Sequence, residues 1–249
     1  MARGETIDRA IAHGGQSQRR LLRLCVADYD RTRPLADGSV TSPRLDLHVE
    51  FSDIGKFCLD NIWDRYDACE MSLSWYVMAR ERGEPLMALP IFPLRMMIHA
   101  YLFRRRDGGI SEPRDLVGKR VGVLQYRLTM ALWARGILHQ QYGVRPEEMF
   151  WITEQEETPE AGFQLPASVQ SQRAPAGRSL EEMLVAGEIE ALISPPIPRC
   201  WRQEAPSLRR LFPDARSAFA DWVRATGIFP ITHTVVVSQS LIDEAPWIA

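Results

Sequence analysis

Lysine is almost missing from this 249-residue chain: of 30 Lys and Arg residues, two are lysines, Lys56 and Lys119. Against 32 Asp and Glu they leave a formal charge of −2, which excludes a nucleic-acid binder that works through bulk positive charge. Cysteine is sparse. Cys25, Cys58, Cys69 and Cys200 are scattered with no CxxC pair, so neither a zinc site nor a thioredoxin-like motif is indicated. No metal-ligand spacing stands out elsewhere, and a divalent metal stays an open option. Apolar runs are short, and none approaches the roughly 18 residues of a membrane span. The N-terminal MARGETIDRAIAHGGQSQRR carries Arg3, Glu5, Asp8 and Arg9 and lacks the apolar core of a secretory signal. Together these absences predict a cytoplasmic protein with reduced thiols.

What is present is ordinary globular material. Hydrophobic residues make up 45% and charged residues 25%, enough to build a sizeable core and to exclude wholesale disorder. Residues 1–20 read as a loose polar arm. Apolar runs or alternation predict strands at 21–27, 45–51, 67–71, 86–92, 99–105, 119–124, 150–153, 189–194 and 232–238. Helical spacing predicts helices at 54–63, 73–81, 128–141, 180–186 and 219–225, with Ser72 and Ser179 as N-caps and Gly187 and Gly227 as stops. The polar segment 154–177 reads as a loop, and the Pro- and Gly-punctuated stretch 111–118 as a lobe boundary. Alternating strands and helices imply an α/β protein with mainly parallel sheets, whose ligands lie at the carboxyl ends of strands.

Several loops at those strand ends are similar, in order, to one family. DYDRTRPL (28–35), EMSLSWY (70–76), PIFPLR with His99 (90–99), GKRVGVLQYRLTMALWARGIL (118–138), LFPD (211–214) and TGIFPITHTVVV (226–237) resemble 4,5-dihydroxyphthalate decarboxylases. The resemblance covers roughly residues 21–249. It implies a two-lobe, periplasmic-binding-protein-like (type II) fold with a ligand cleft between the lobes. Lobe 1 is expected at 21–110 plus 231–249 and lobe 2 at 111–230. It also implies loss of CO2 from an aromatic diacid by ring protonation at the ipso carbon, giving protocatechuate. Two departures stand out. Ile98 occupies a position that is often Arg in the family. Family members also run on past Pro246-Trp247, so the chain reads as C-terminally short, with apolar surface on lobe 1 exposed or covered by self-association.

Such chemistry calls for a proton-transfer group, a cationic clamp for the carboxylate that stays, and an acceptor at the hydroxyl end. His99 is the first candidate for proton transfer and His233 the second, because imidazole titrates near neutrality; His13, His48 and His139 lack a comparable setting. Glu70 is the candidate acceptor or base. Arg31 and Arg95 are carboxylate-clamp candidates, ahead of Arg33. Asp28, Tyr29, Ser72 and Phe92 line the same strand ends. Gln125, Tyr126 and Thr129 open the helix at 128–141, where free N–H groups suit an anion. Trp133 and Arg135 read as packing against the sheet. A small aromatic dicarboxylate is the expected partner, with no nucleic acid, no membrane and no redox cofactor. The alternative is a solute-binding or sensor protein for an aromatic carboxylate without catalysis; a related enzyme with another substrate is a third reading.

Overall fold

The computed structural model describes residues 19–52, 62–157, 163–202 and 207–249, with only the backbone at Cys200 and Arg202. The strands are β1 (Arg20–Val26), β2 (Leu45–Phe51), β3 (Ala68–Ser72), β4 (Leu86–Arg95), β5 (Leu102–Arg105), β6 (Arg120–Val123), β7 (Phe150–Thr153), β8 (Gln170–Arg173), β9 (Ala191–Ile193), β10 (Leu208–Arg210) and β11 (Ile231–Ser238). The α-helices are α1 (Arg33–Ala36), α2 (Ile62–Arg65), α3 (Leu73–Glu81), α4 (Thr129–Tyr142), α5 (Leu180–Ala186), α6 (Arg199–Arg202), α7 (Ala215–Thr226) and α8 (Gln239–Glu244). Among the described residues no helix is long and apolar enough to cross a membrane.

The strands form two sheets, ordered β2-β1-β3-β11-β4 and β10-β5-β9-β6-β7-β8. Each sheet is packed on both faces. Leu22, Leu24, Val235 and Val237 lie on one side of the first sheet, with Cys25, Cys69 and Val236 on the other. The second sheet holds a large core around Trp151, Leu138 and Val121 and a smaller one around Leu184, Ile189 and Phe103.

Both sheets are mixed, where mainly parallel sheets were expected. β1, β2 and β3 are parallel, but β11 runs antiparallel to β3 and β4. β6, β7, β8 and β9 are parallel; β5 runs antiparallel to β9, and β10, antiparallel to β5, runs in the same sense as the parallel strands. The cause is the path of the chain. β5 and β11 are the first strands entered after each crossing between sheets. They therefore start at the edge where the parallel strands end, and run the other way. The first crossing lies between Arg95 and Leu102, so β5 belongs to the second sheet. This corrects the boundary expected near residue 110, which followed Pro and Gly punctuation instead of strand pairing.

Local chemistry accounts for most elements. In α5, Ser179 accepts from the Glu182 N–H while Glu182 accepts from the Ser179 N–H, at 3.2 and 3.0 Å. Asp214 caps α7 at 2.9 Å. Gly143, Gly187 and Gly227 end their helices at positive φ. β4 continues through Pro90 and Pro93, which its place at the sheet edge permits because an edge strand needs no donor on its outer side. β8 and β10, in segments expected to be loop or left unread, are polar or Arg-rich and carry no alternation to read. The helix expected at 54–63 is seen from Ile62; residues 54–61 lie outside the described residues. The 99–105 strand splits into a 3-10 turn at Ile98–Tyr101 and β5.

Candidate functional site

At the cleft edge of the first sheet a carboxylate is fully enclosed. Glu70, on β3, is 0% exposed. One oxygen, Oε1, meets the Tyr29 hydroxyl, which donates to it at 2.9 Å, and the Nδ1 of His233 at 2.7 Å. The other, Oε2, accepts from the Ala27 backbone N–H at 3.1 Å. A buried charge needs such partners. The residue that follows β1 supplies the N–H, the turn after it supplies Tyr29, and β11 supplies His233. That turn is held by the Thr32 hydroxyl, which donates to the Ala27 carbonyl at 2.8 Å and accepts from the Tyr29 N–H at 2.9 Å. Burial, and then the adjacent Glu70 charge, push the Tyr29 phenol above its ordinary range, so it stays protonated and donating.

The His233 side chain is 17% exposed. With Nδ1 committed to a buried carboxylate, its Nε2 is the nitrogen left for chemistry, the arrangement in which an acidic group orients a proton-transfer histidine. His233 is register partner to Ser72 on β3. The Ser72 hydroxyl lies 2.6 Å from that of Thr129 at the start of α4, and Thr129 also accepts from the Ser74 N–H at 2.9 Å. A second-lobe side chain thus caps the first turn of α3 in place of Ser72, which makes no capping hydrogen bond of its own. A second bond joins the lobes: the Trp133 indole N–H donates to the Ile231 carbonyl at 2.9 Å.

The structure gathers Tyr29, Glu70, Ser72, Thr129 and His233 in one place. Arg31 joins them. Its guanidinium lies 3.8 Å from the centre of the Tyr29 ring, and its Nε donates to the Pro93 carbonyl at 2.5 Å. Farther along β4, Arg95 stands 5.3 Å from the Phe92 ring and 6.0 Å from that of Phe229, all three at the surface. Asp28 turns away to pair with Arg33 at 2.6 Å. Gln125 donates to the Glu156 carbonyl at 2.7 Å. Tyr126 is buried edge-on against Trp151 at 5.3 Å. His99 is elsewhere. It is 0% exposed inside the second lobe, edge-on to Phe212 at 4.8 Å, with Nε2 3.5 Å from Gln141 Oε1. Ile98 beside it is equally buried, in the core of that lobe. Ser74, Arg127 and Phe229 were not singled out from the sequence; only pairing across lobes brings the first two to this region. Among the described residues no group of three or more His, Cys, Asp or Glu is placed to hold a metal ion.

No family model matches the chain. It is 36% identical over 233 residues, 91% of this chain and 71% of the relative, to the 4,5-dihydroxyphthalate decarboxylase of Comamonas testosteroni. It is 36% identical over 210 residues to the enzyme of that name from Pseudomonas putida, covering 82% and 81% of the two chains. Among solved structures, the periplasmic aliphatic sulphonate binding protein SsuA of Escherichia coli aligns with a TM-score of 0.56 at 11% identity, over 92% of this chain and 68% of that one. SsuA of Xanthomonas axonopodis aligns at 0.52 and 12%, over 92% and 69%. These likenesses establish the two-lobe, type II binding-protein fold.

Proposed function

Since this chain belongs to the 4,5-dihydroxyphthalate decarboxylase family, we propose that it is a carboxy-lyase that converts 4,5-dihydroxyphthalate, or a closely similar aromatic diacid, to protocatechuate and CO2. The observation that carries the assignment to this site is the buried Glu70 holding His233 by Nδ1. In our reading protonated His233 delivers a proton from Nε2 to the ring carbon bearing the departing carboxylate. The para hydroxyl stabilises the positive charge that develops. The carbon–carboxylate bond then breaks, its electron pair restores the aromatic ring, and CO2 leaves. One proton replaces one CO2 and no external electrons are needed, so the chemistry requires no redox cofactor. Tyr29 helps to fix Glu70, Arg95 offers a bidentate partner for the retained carboxylate, and Arg31, engaged with Pro93 and Asp30, offers Nη2. His99, walled in by Phe212 and Phe219, has no part in this scheme.

The binding-protein alternative rests on fold, and fold by itself does not decide function. The identity to two decarboxylases favours the enzyme. We also propose a reducing, cytoplasmic setting, which the buried Cys25 thiol on β1, held in no disulfide, supports. The test is formation of protocatechuate and CO2 from 4,5-dihydroxyphthalate. Wild-type turnover is expected, with a loss of roughly 100- to 10,000-fold in His233→Ala, the range for removing a positioned proton donor. No turnover by the wild type, with EDTA or with added divalent metal, overturns the reading.

A further inference from the structure

Arg135, on α4, is 6% exposed. Its guanidinium lies 3.6 Å from the centre of the Tyr126 ring, and its Nη1 donates to the Tyr126 carbonyl at 2.5 Å. Among the described residues no carboxylate lies within ion-pair distance of it; Glu157, the nearby acid, pairs with Arg127 at 3.1 Å. Arginine is seldom buried this far without a counter-ion, because desolvating the charge is costly. Burial lowers its pKa to about 10, which leaves it cationic at neutral pH.

Arg135 is one of the residues that line a cavity of ≈ 360 Å³ between α3 and α4. Ser74, Thr129, Arg127, Trp133 and Phe163 line it too. Hydroxyls, a cation and aromatic walls therefore share one enclosure of a size suited to a single-ring molecule. Val77 and Leu132 also line it, and both are about half exposed, which marks the mouth. None of Tyr29, Glu70 and His233 belongs to its lining. The Ser72–Thr129–Ser74 hydroxyl bridge lies between the two places.

We propose that this cavity is a binding subsite for an aromatic carboxylate, whose carboxylate pairs with Arg135 and whose ring lies against Trp133 and Phe163. The ligand supplies the counter-ion that is missing among the described residues, and the apolar walls favour a ring over inorganic anions. It goes beyond the decarboxylase reading and does not depend on turnover.

Binding of benzoate and of phthalate, measured calorimetrically on the full chain, tests it. Arg135→Gln is expected to weaken both ligands at least tenfold, and sodium chloride at equal ionic strength is not expected to compete. Leu132→Trp, which plugs the mouth and leaves Arg135 in place, should do the same and carries the test where Arg135→Gln fails to fold. The proposal is overturned if folded Arg135→Gln or Leu132→Trp binds benzoate with wild-type affinity, or if the wild type binds neither acid. Failure of decarboxylation with Arg135-dependent binding intact would count against the enzyme reading alone.

Discussion

At the scale of single residues, the burial of Glu70 decides most. Three donors converge on it, from Ala27, Tyr29 and His233. Glu70→Gln preserves shape but removes the charge that orients the imidazole, and it turns one acceptor into a donor facing the Ala27 N–H. Its kcat is expected to fall roughly 100-fold or more while KM moves less, the pattern of a group that acts through the transition state. An unchanged kcat would remove Glu70 from the mechanism. His99 makes a different prediction. Burial lowers its pKa below the ordinary 6.5. Above pH 6.5 the ring is neutral in folded and unfolded chains alike, so burial then costs no charge penalty. As the pH falls below 6.5 the unfolded chain takes up a proton that the folded chain resists, and stability drops until the folded pKa is reached. Urea midpoints between pH 7.5 and 5 should therefore fall more steeply for the wild type than for His99→Gln. Equal slopes would contradict this.

At the scale of elements, the second sheet is packed without slack at Gly122 on β6. A Cβ there would lie 2.7 Å from Ile189 Cδ1 and 3.1 Å from Leu180 Cδ2, and both of those side chains are buried. Gly122→Ala is expected to cost about 1–3 kcal/mol, the usual price of overpacking a tight core; a denaturant midpoint within error of the wild type would show that the layer yields. The same scale shows what the sequence discloses. α4, α5 and β11 are legible because helical spacing, a capping box and a β-branched run each act within one segment. The antiparallel sense of β5 and β11 is not, because strand direction depends on where the chain re-enters a sheet. β10 escapes notice because Leu208–Arg210 is short and charged and gains its place by pairing with β5.

For the whole molecule the question is what holds the lobes against each other. Thr129 of the second lobe bonds the Ser72 hydroxyl and caps α3 in the first, and Trp133 bonds the Ile231 carbonyl. Thr129→Val keeps the volume and strands buried donors, a loss of about 1–3 kcal/mol. The ligand-free variant is expected to show a larger radius of gyration in small-angle scattering than the wild type, with faster amide exchange at the start of α3. Identical scattering and exchange would mean that the bridge does not hold the cleft.

Much of the site was within reach of the sequence. Tyr29, Arg31, Glu70, Ser72, Thr129 and His233 could be named as candidates because each stands where a strand ends or a crossing returns, and such positions face the cleft edge of an α/β sheet. The amino-acid order by itself determined the α/β class and the capped helices, which follow from local patterns, and it carried the motifs whose family resemblance implied two lobes. Only the tertiary structure ranked the candidates. It set His233 against Glu70 and drew His99 into the second core, because a histidine's role depends on what desolvates it and what it pairs with. It also left Arg135 buried beside a cavity with no counter-ion among the described residues. No spacing along a helix reports that, since the guanidinium is buried by residues that the fold, and not the helix, brings to it, among them Tyr126 and Trp151.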